Sequence, residues 1–109
     1  MNNQNLVMDC HNGVLVAKIQ GDIDHHSARH IRDSIDSYIF EKKPNSVHLD
    51  LSLVEFMDSS GLGLILGRYN TACEIGAILK ILSPSKGVKK VLELAGIERI
   101  IHIEGETKV

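Results

Sequence analysis

The sequence of 109 residues predicts a single α/β domain with a mainly parallel sheet. Segments in which apolar and polar residues alternate, as in strands, are separated by segments with apolar residues at every third or fourth position, as in helices. Their order is β-β-α-β-α-β-α-β, and strands that alternate with helices favour parallel pairing, with the helices packed against the sheet. One hydrophobic core is sufficient for a chain of this length, so we expect one domain over residues 1–109.

The first two predicted strands, residues 6–8 and 14–19, form a hairpin. Asn12 and Gly13 lie between them, and an Asn-Gly pair favours a tight turn because both residues tolerate positive φ. The first strand is short and follows the polar residues 1–5, so we expect it at the edge of the sheet. A second short tail is expected at residues 105–109.

The first predicted helix begins after Asp24, the natural N-cap, and ends before Pro44. Charged residues such as Asp36 are expected to face solvent. The helical spacing of apolar residues predicts a buried stripe of Ala28, Ile31, Ile35, Tyr38 and Ile39.

Residues 56–63, with the sequence Phe-Met-Asp-Ser-Ser-Gly-Leu-Gly, join the central strand to the second helix. Asp58 and Ser59 lie where a helix needs a side-chain oxygen to accept its first backbone N–H groups. A hydroxyl here also lies near the positive end of the helix dipole. The predicted core stripe of this helix is Leu62, Ile65, Leu66, Tyr69, Ala72 and Cys73.

The opposite face of the second helix is unusual for a solvent-exposed surface. It carries Ser60, Gly63, Leu64, Gly67 and Thr71. Each glycine inside a helix costs about 0.5–1 kcal/mol relative to alanine. We therefore expect a flat apolar surface, with Leu64 pointing outward beside Ser59, that either admits a neighbouring element of this chain or binds another protein.

After a strand at residues 77–82, Ser83 is the predicted cap of a third helix, with Pro84 at its first position. Gly96 ends this helix, and residues 100–103 form the last strand. The apolar stripe of the third helix is Val88, Val91, Leu92 and Ala95.

The composition argues against several classes of protein. A net charge of −2 is not that of a nucleic-acid binder, which would show a basic patch. No apolar run approaches the roughly 18 residues of a membrane span, so we expect a cytoplasmic protein. Cys10 and Cys73 are expected to be buried free thiols.

The sequence offers little for a metal, a cofactor or catalysis. His26 and His30 are four residues apart, but the glutamate of a His-Glu-x-x-His zinc helix is absent. Gly61 and Gly63 do not form a phosphate-binding loop. The alternative is an enzyme in which Ser59 is the nucleophile and Asp24 with His25 or His26 supplies the base and the orienting acid. The sequence has no Gly-x-Ser-x-Gly motif to support it. We expect neither a metal nor a cofactor.

Three segments resemble the STAS-domain anti-sigma factor antagonists: residues 21–26, residues 56–69 and residues 83–85. They occur in order and at matching separations, and the resemblance covers nearly the whole chain. It implies the same β-β-α-β-α-β-α-β fold. It also implies that Ser59 is phosphorylated, with Ser60 as the rival site.

By this resemblance, the unphosphorylated form binds an anti-sigma factor that is also an ATP-dependent serine kinase, which releases a sporulation sigma factor. The kinase then phosphorylates Ser59 and dissociates the pair, and a serine phosphatase resets the cycle. The expected partner-binding residues are Asp24, Asp58, Ser60, Gly61, Gly63, Leu64 and Gly67. A scaffold subunit of a stress-signalling complex or of a lipid-transport assembly is the alternative within the family.

Overall fold

The computed structural model describes residues 6–105. The predicted tails, residues 1–5 and 105–109, lie outside the described residues except for Gly105. The elements are β1 (Leu6–His11), β2 (Val14–Gln20), α1 (His25–Lys42), β3 (Ser46–Leu53), α2 (Ser59–Glu74), β4 (Ile78–Leu82), α3 (Lys86–Leu94), a short 3-10 helix (Ile97–Arg99) and β5 (His102–Glu104).

The five strands form one sheet in the order β1-β2-β3-β4-β5. β1 pairs antiparallel with β2, and the other neighbours pair in parallel. The hairpin turn has positive φ at Asn12 (52°) and Gly13 (80°). The predicted mainly parallel sheet with an N-terminal edge hairpin is therefore confirmed.

Only one face of the sheet is fully buried. Leu15, Val47 and Leu79 lie side by side in the register on this face and are at most 4% exposed. On the other face, His48 lies between Val16 and Lys80, and all three are only half-buried. The core therefore lies between one sheet face and the helices, as period-two alternation in the strands requires.

α1 contacts α2, and its buried residues are Ile31, Ile35 and Ile39. The two helices are also joined by charge, because Arg68 Nε of α2 lies 2.8 Å from Asp36 Oδ1 of α1. These atoms form an ion pair without the alignment of a hydrogen bond. Burial, outweighing the attraction of Arg68, raises the pKa of Asp36. The expectation that Asp36 faces solvent is wrong, since its side chain is only 26% exposed.

Two predicted boundaries near the C-terminal half are also wrong. Ser85, not Ser83, is the N-cap of α3, because its hydroxyl accepts from Val88 N and donates to Val54 O. Ser83 instead has a left-handed backbone with φ 51°. The last strand begins at His102, because the isoleucines before it belong to or follow the 3-10 helix.

Candidate functional site

The starts of α1 and α2 lie side by side at one end of the sheet. Ile23 and Met57 form a parallel bridge just before the two helices. Ile23 N donates to Phe56 O at 3.0 Å, and Asp58 N donates to Ile23 O at 3.3 Å. Asp24 and Asp58, which come directly after Ile23 and Met57, therefore lie in two adjacent segments. This is expected for loops at the carboxyl ends of parallel strands.

Asp24 caps α1 with a complete capping box. Its Oδ1 accepts from His26 N at 3.0 Å and from Ser27 N at 2.9 Å, and Ser27 Oγ accepts from Asp24 N at 3.0 Å. Ser27 Oγ also lies 3.1 Å from Asp22 O, to which it donates. The Ser27 N–H is the largest of several contacts that lower the pKa of Asp24. The side chains of Asp24 and Ser27 are thus both occupied at the start of the helix.

Asp58 caps α2 with fewer hydrogen bonds than Asp24 makes at the start of α1. Its Oδ1 accepts one bond, from Ser60 N at 2.7 Å. Ser59 is the first residue of the helix and is exposed, and its hydroxyl makes no hydrogen bond with residues 6–105. Of the two candidate caps in the sequence, Asp58 is therefore the one used, and Ser59 is left exposed.

Gly61, one of the residues expected to bind a partner, is buried beneath the first turn of α2. A Cβ at this position would lie 1.9 Å from Cγ of Met57, a core residue that is only 2% exposed. The absence of a side chain lets the first turn of α2 lie directly on Met57. Gly61 thereby positions Ser59 without reaching the surface.

The orientation of α2 differs from the prediction by roughly a quarter of a turn. Leu64 is 4% exposed and belongs to the core, so the expected outward Leu64 is wrong. The physical reason is that α2 packs against both the sheet and α1, and Arg68 is buried by its ion pair with Asp36. The buried positions of α2 are Gly61, Leu64, Ile65, Arg68 and Ala72, which themselves have helical spacing.

A different leucine lies on the outer face. Leu66 is 36% exposed, and it follows Ser59 and Gly63 along one face of the helix. Phe56, in the loop before the helix, is 56% exposed. We call Phe56, Ser59, Gly63 and Leu66 the Ser59 surface. The same rotation exposes Cys73, which was expected to be buried; Cys10 is half-buried, and both thiols are free.

Gly63 and Gly67 do not make room for another part of the described chain. Apart from the two chain neighbours and the nearby backbone of α2 itself, no described atom lies within 4 Å of a Cβ built at either position. These glycines line a groove of about 570 Å³ between α1 and α2, which we call the inter-helix groove. Ser60 also lines it, so the Ser59 surface and the groove adjoin each other.

No constellation for a metal ion is found in the part of the chain that the structure describes. No group of three or more His, Cys, Asp or Glu side chains there could hold one. The rings of His25 and His26 pack edge to face with centroids 6.0 Å apart. No helix within residues 6–105 is both long and apolar enough to cross a membrane.

The structure thus places five of the predicted residues at the two adjoining helix starts and the groove: Asp24, Asp58, Ser60, Gly63 and Gly67. Ser59 lies with them, whereas Gly61 and Leu64 are in the interior. Sequence reasoning missed Leu66 and the arginines of the groove. Leu66 was assigned to the core because it is apolar, so no local signal identified it.

Comparison with known proteins agrees with this architecture. The model of the STAS domain family matches residues 5–108. An anti-sigma F factor antagonist of Paenibacillus polymyxa is 34% identical over 101 residues, which cover 93% of this chain and 86% of the relative. The anti-sigma factor antagonist SpoIIAA in its unphosphorylated form superposes with a TM-score of 0.80 at 28% identity, over 93% of this chain and 89% of SpoIIAA. The phosphorylated Bacillus SpoIIAA gives 0.72 at 27% identity, over 93% and 92%. The chain belongs to the STAS domain family.

Proposed function

We propose that this chain is an anti-sigma factor antagonist that is switched by phosphorylation of Ser59. Its unphosphorylated form binds an anti-sigma factor that is also a serine kinase, and this binding releases a sporulation sigma factor. Phosphorylation of Ser59 by that kinase ends the binding, and a serine phosphatase restores it. The names of the relatives support the first part, and the geometry of Ser59 supports the second.

The observation that carries the proposal is the free, exposed hydroxyl of Ser59 at the first position of α2. A kinase can reach this oxygen without unfolding the helix, because Asp58 caps it instead. The neighbouring Ser60 is less exposed and its backbone N–H is bound by Asp58. Ser59 is therefore the better acceptor of the two.

A phosphoryl group on Ser59 would act on the partner rather than on the fold. It adds about −1.5 to −2 charges and accepts hydrogen bonds, which the start of a helix accommodates well. Phe56, Gly63 and Leu66 form the surface around it, and they would have to be desolvated when a partner binds. Like charges set against each other across an interface cost several kcal/mol, on the order of a hundredfold in affinity.

We propose a binding module rather than an enzyme. The residues beside Ser59 that could supply a base or an orienting acid already have structural roles. Asp24 is held by the capping box of α1, and Asp58 accepts the Ser60 N–H. A serine nucleophile needs a base within hydrogen-bond reach, and the Ser59 hydroxyl has no such partner among the described residues.

The test is to incubate the pure protein with ATP, magnesium and the anti-sigma factor encoded in the same genome. Mass spectrometry should find one phosphoryl group on Ser59, retained in Ser60→Ala and lost in Ser59→Ala. Calorimetry should then show that Ser59→Ala binds the anti-sigma factor like the wild type. Ser59→Asp should bind about a hundredfold more weakly and unfold at the wild-type temperature. A phosphoryl group on Ser60, or undiminished binding by the phosphorylated chain, would contradict the proposal.

A further inference from the structure

The inter-helix groove is lined by cationic side chains, although the whole chain has a net charge of −2. Arg29 and Arg32 line it from α1, and Arg68 from α2. Arg68 is paired with Asp36, and Arg32 lies 3.1 Å from Asp33. Arg29 has no ion pair with any residue from 6 to 105. The groove thus has more positive charge than the carboxylates of its own walls neutralise.

The floor of the groove allows a close approach. Gly63 and Gly67 present bare backbone there, with open space where their side chains would be. Ser60 lies at the end next to Ser59. From Ser60 to Arg68 the groove follows α2 over about 12 Å of the helix axis. This length suits a peptide segment better than a single small anion.

We propose that the inter-helix groove receives an acidic segment of the protein partner, with one of its carboxylates on Arg29 and a second on Arg32, where it replaces the exposed Asp33. The inference rests on the proposed function, because that function supplies the protein partner. Arg29 and Arg32 are three residues apart on one helix, so their side chains start about 5–6 Å from each other. Two acidic residues three or four apart on a partner helix have the same separation. Guanidinium groups bind carboxylates in a paired, planar geometry.

The same groove explains why phosphorylation rejects the partner. Ser59 is next to Ser60, which lines the groove, so a phosphoryl group would add negative charge at its end. That charge repels the carboxylates of the incoming segment and offsets the attraction of the arginines. Ser59 then controls a surface that its own side chain does not form.

The experiment measures the affinity of the purified anti-sigma factor from the same genome for four forms of the full chain. These are the wild type, Ser59→Asp, the double variant Arg29→Glu with Arg32→Glu, and a control with Lys42→Glu and Lys43→Glu. The control makes the same change in net charge at the far end of α1. Circular dichroism verifies that each variant is folded.

We expect the arginine double variant to bind roughly a hundredfold more weakly, and the lysine control to change by less than about threefold. Replacing two acidic residues of the partner's segment with lysine should restore its binding to the arginine double variant, but should not strengthen its binding to the wild type. Equal effects of the two double variants, or no effect of either, would overturn the inference.

Further outcomes separate failure of this inference from failure of the proposed function. If Ser59→Asp loses binding while the arginine variant keeps it, the inference fails and the proposed function stands. If the unphosphorylated wild type does not bind at all, both fail. Tight binding of inorganic pyrophosphate by the same arginines, or a dimer of this chain that the arginine variant dissociates, would assign the groove to another occupant and overturn the inference.

Discussion

The starts of α1 and α2 are neighbours, and each is capped by an aspartate, but they use their serines differently. In α1, the third residue is Ser27, and its hydroxyl completes the capping box on Asp24. In α2, the third residue is Gly61, which has no side chain to return to the cap. The serine of α2 lies at the first position instead and keeps its hydroxyl free.

The difference follows from packing beneath the second helix. Met57 occupies the space that a side chain at position 61 would need, so a capping box cannot form there. The single bond from Asp58 to Ser60 N satisfies the cap in its place. At the start of α1 the serine hydroxyl is therefore bound within the cap, whereas at the start of α2 the Ser59 hydroxyl stays outside it. We therefore expect substitutions at the two helix starts to differ in their effects on stability.

The largest effect concerns the orientation of α2, on which the exposure of Ser59 depends. Leu64→Ala should lower the free energy of unfolding by about 2–5 kcal/mol, because it opens a cavity in the core. Leu66→Ala should lower it by less than about 1 kcal/mol, since the side chain is 36% exposed. Urea unfolding followed by circular dichroism measures both. A larger loss for Leu66→Ala than for Leu64→Ala would mean that Leu64 faces outward and that Leu66 does not belong to the Ser59 surface.

An intermediate effect is expected from the two glycines of the first turns of α2. Gly61→Ala should lower the free energy of unfolding by about 1–3 kcal/mol, because its Cβ collides with Met57. Gly63→Ala should raise it by roughly 0.5–1 kcal/mol, since alanine favours the helix and the space is open. Thermal unfolding compares the two.

A double-mutant cycle identifies the cause of the Gly61 effect. With Met57→Ala in the background, Gly61→Ala should cost less than it does alone, because the colliding atoms are gone. If the cost is unchanged, the glycine is needed for a reason other than contact with Met57. Equal effects of alanine at positions 61 and 63 would remove the contrast between the two glycines.

Much of the fold follows from local pattern. The Asn12-Gly13 turn, the alternation in the strands and the Asp24 cap each depend on neighbours in sequence, and the structure confirms them. The parallel pairing of most strands follows because strands that alternate with helices favour it. The resemblance to the STAS family is recognisable for a related reason, since each of its three segments is a short continuous stretch of sequence.

The features that were missed depend on contacts between distant parts of the chain. The helical spacing of apolar residues places Leu66 inside and Leu64 outside. In the structure Leu64 is buried, and so is Arg68, which forms an ion pair with Asp36 of another helix. The N-cap of α3 is Ser85 rather than the predicted Ser83 for a similar reason. Ser85 is held by Val54 O, which no pattern within the Ser-Pro-Ser segment indicates.

The smallest effect tests the two serines directly. Ser27→Ala should lower the free energy of unfolding by about 0.5–1.5 kcal/mol, because the Asp24 N–H and the Asp22 carbonyl lose their bonds to the hydroxyl. Ser59→Ala should change it by no more than about 0.5 kcal/mol, since this hydroxyl has no partner among residues 6–105. Denaturant unfolding of the two variants side by side gives the difference, with Ser37→Ala on the exposed face of α1 as a control. A loss at Ser59 as large as that at Ser27 would show that its hydroxyl is part of the cap, and the contrast between the two helix starts would disappear.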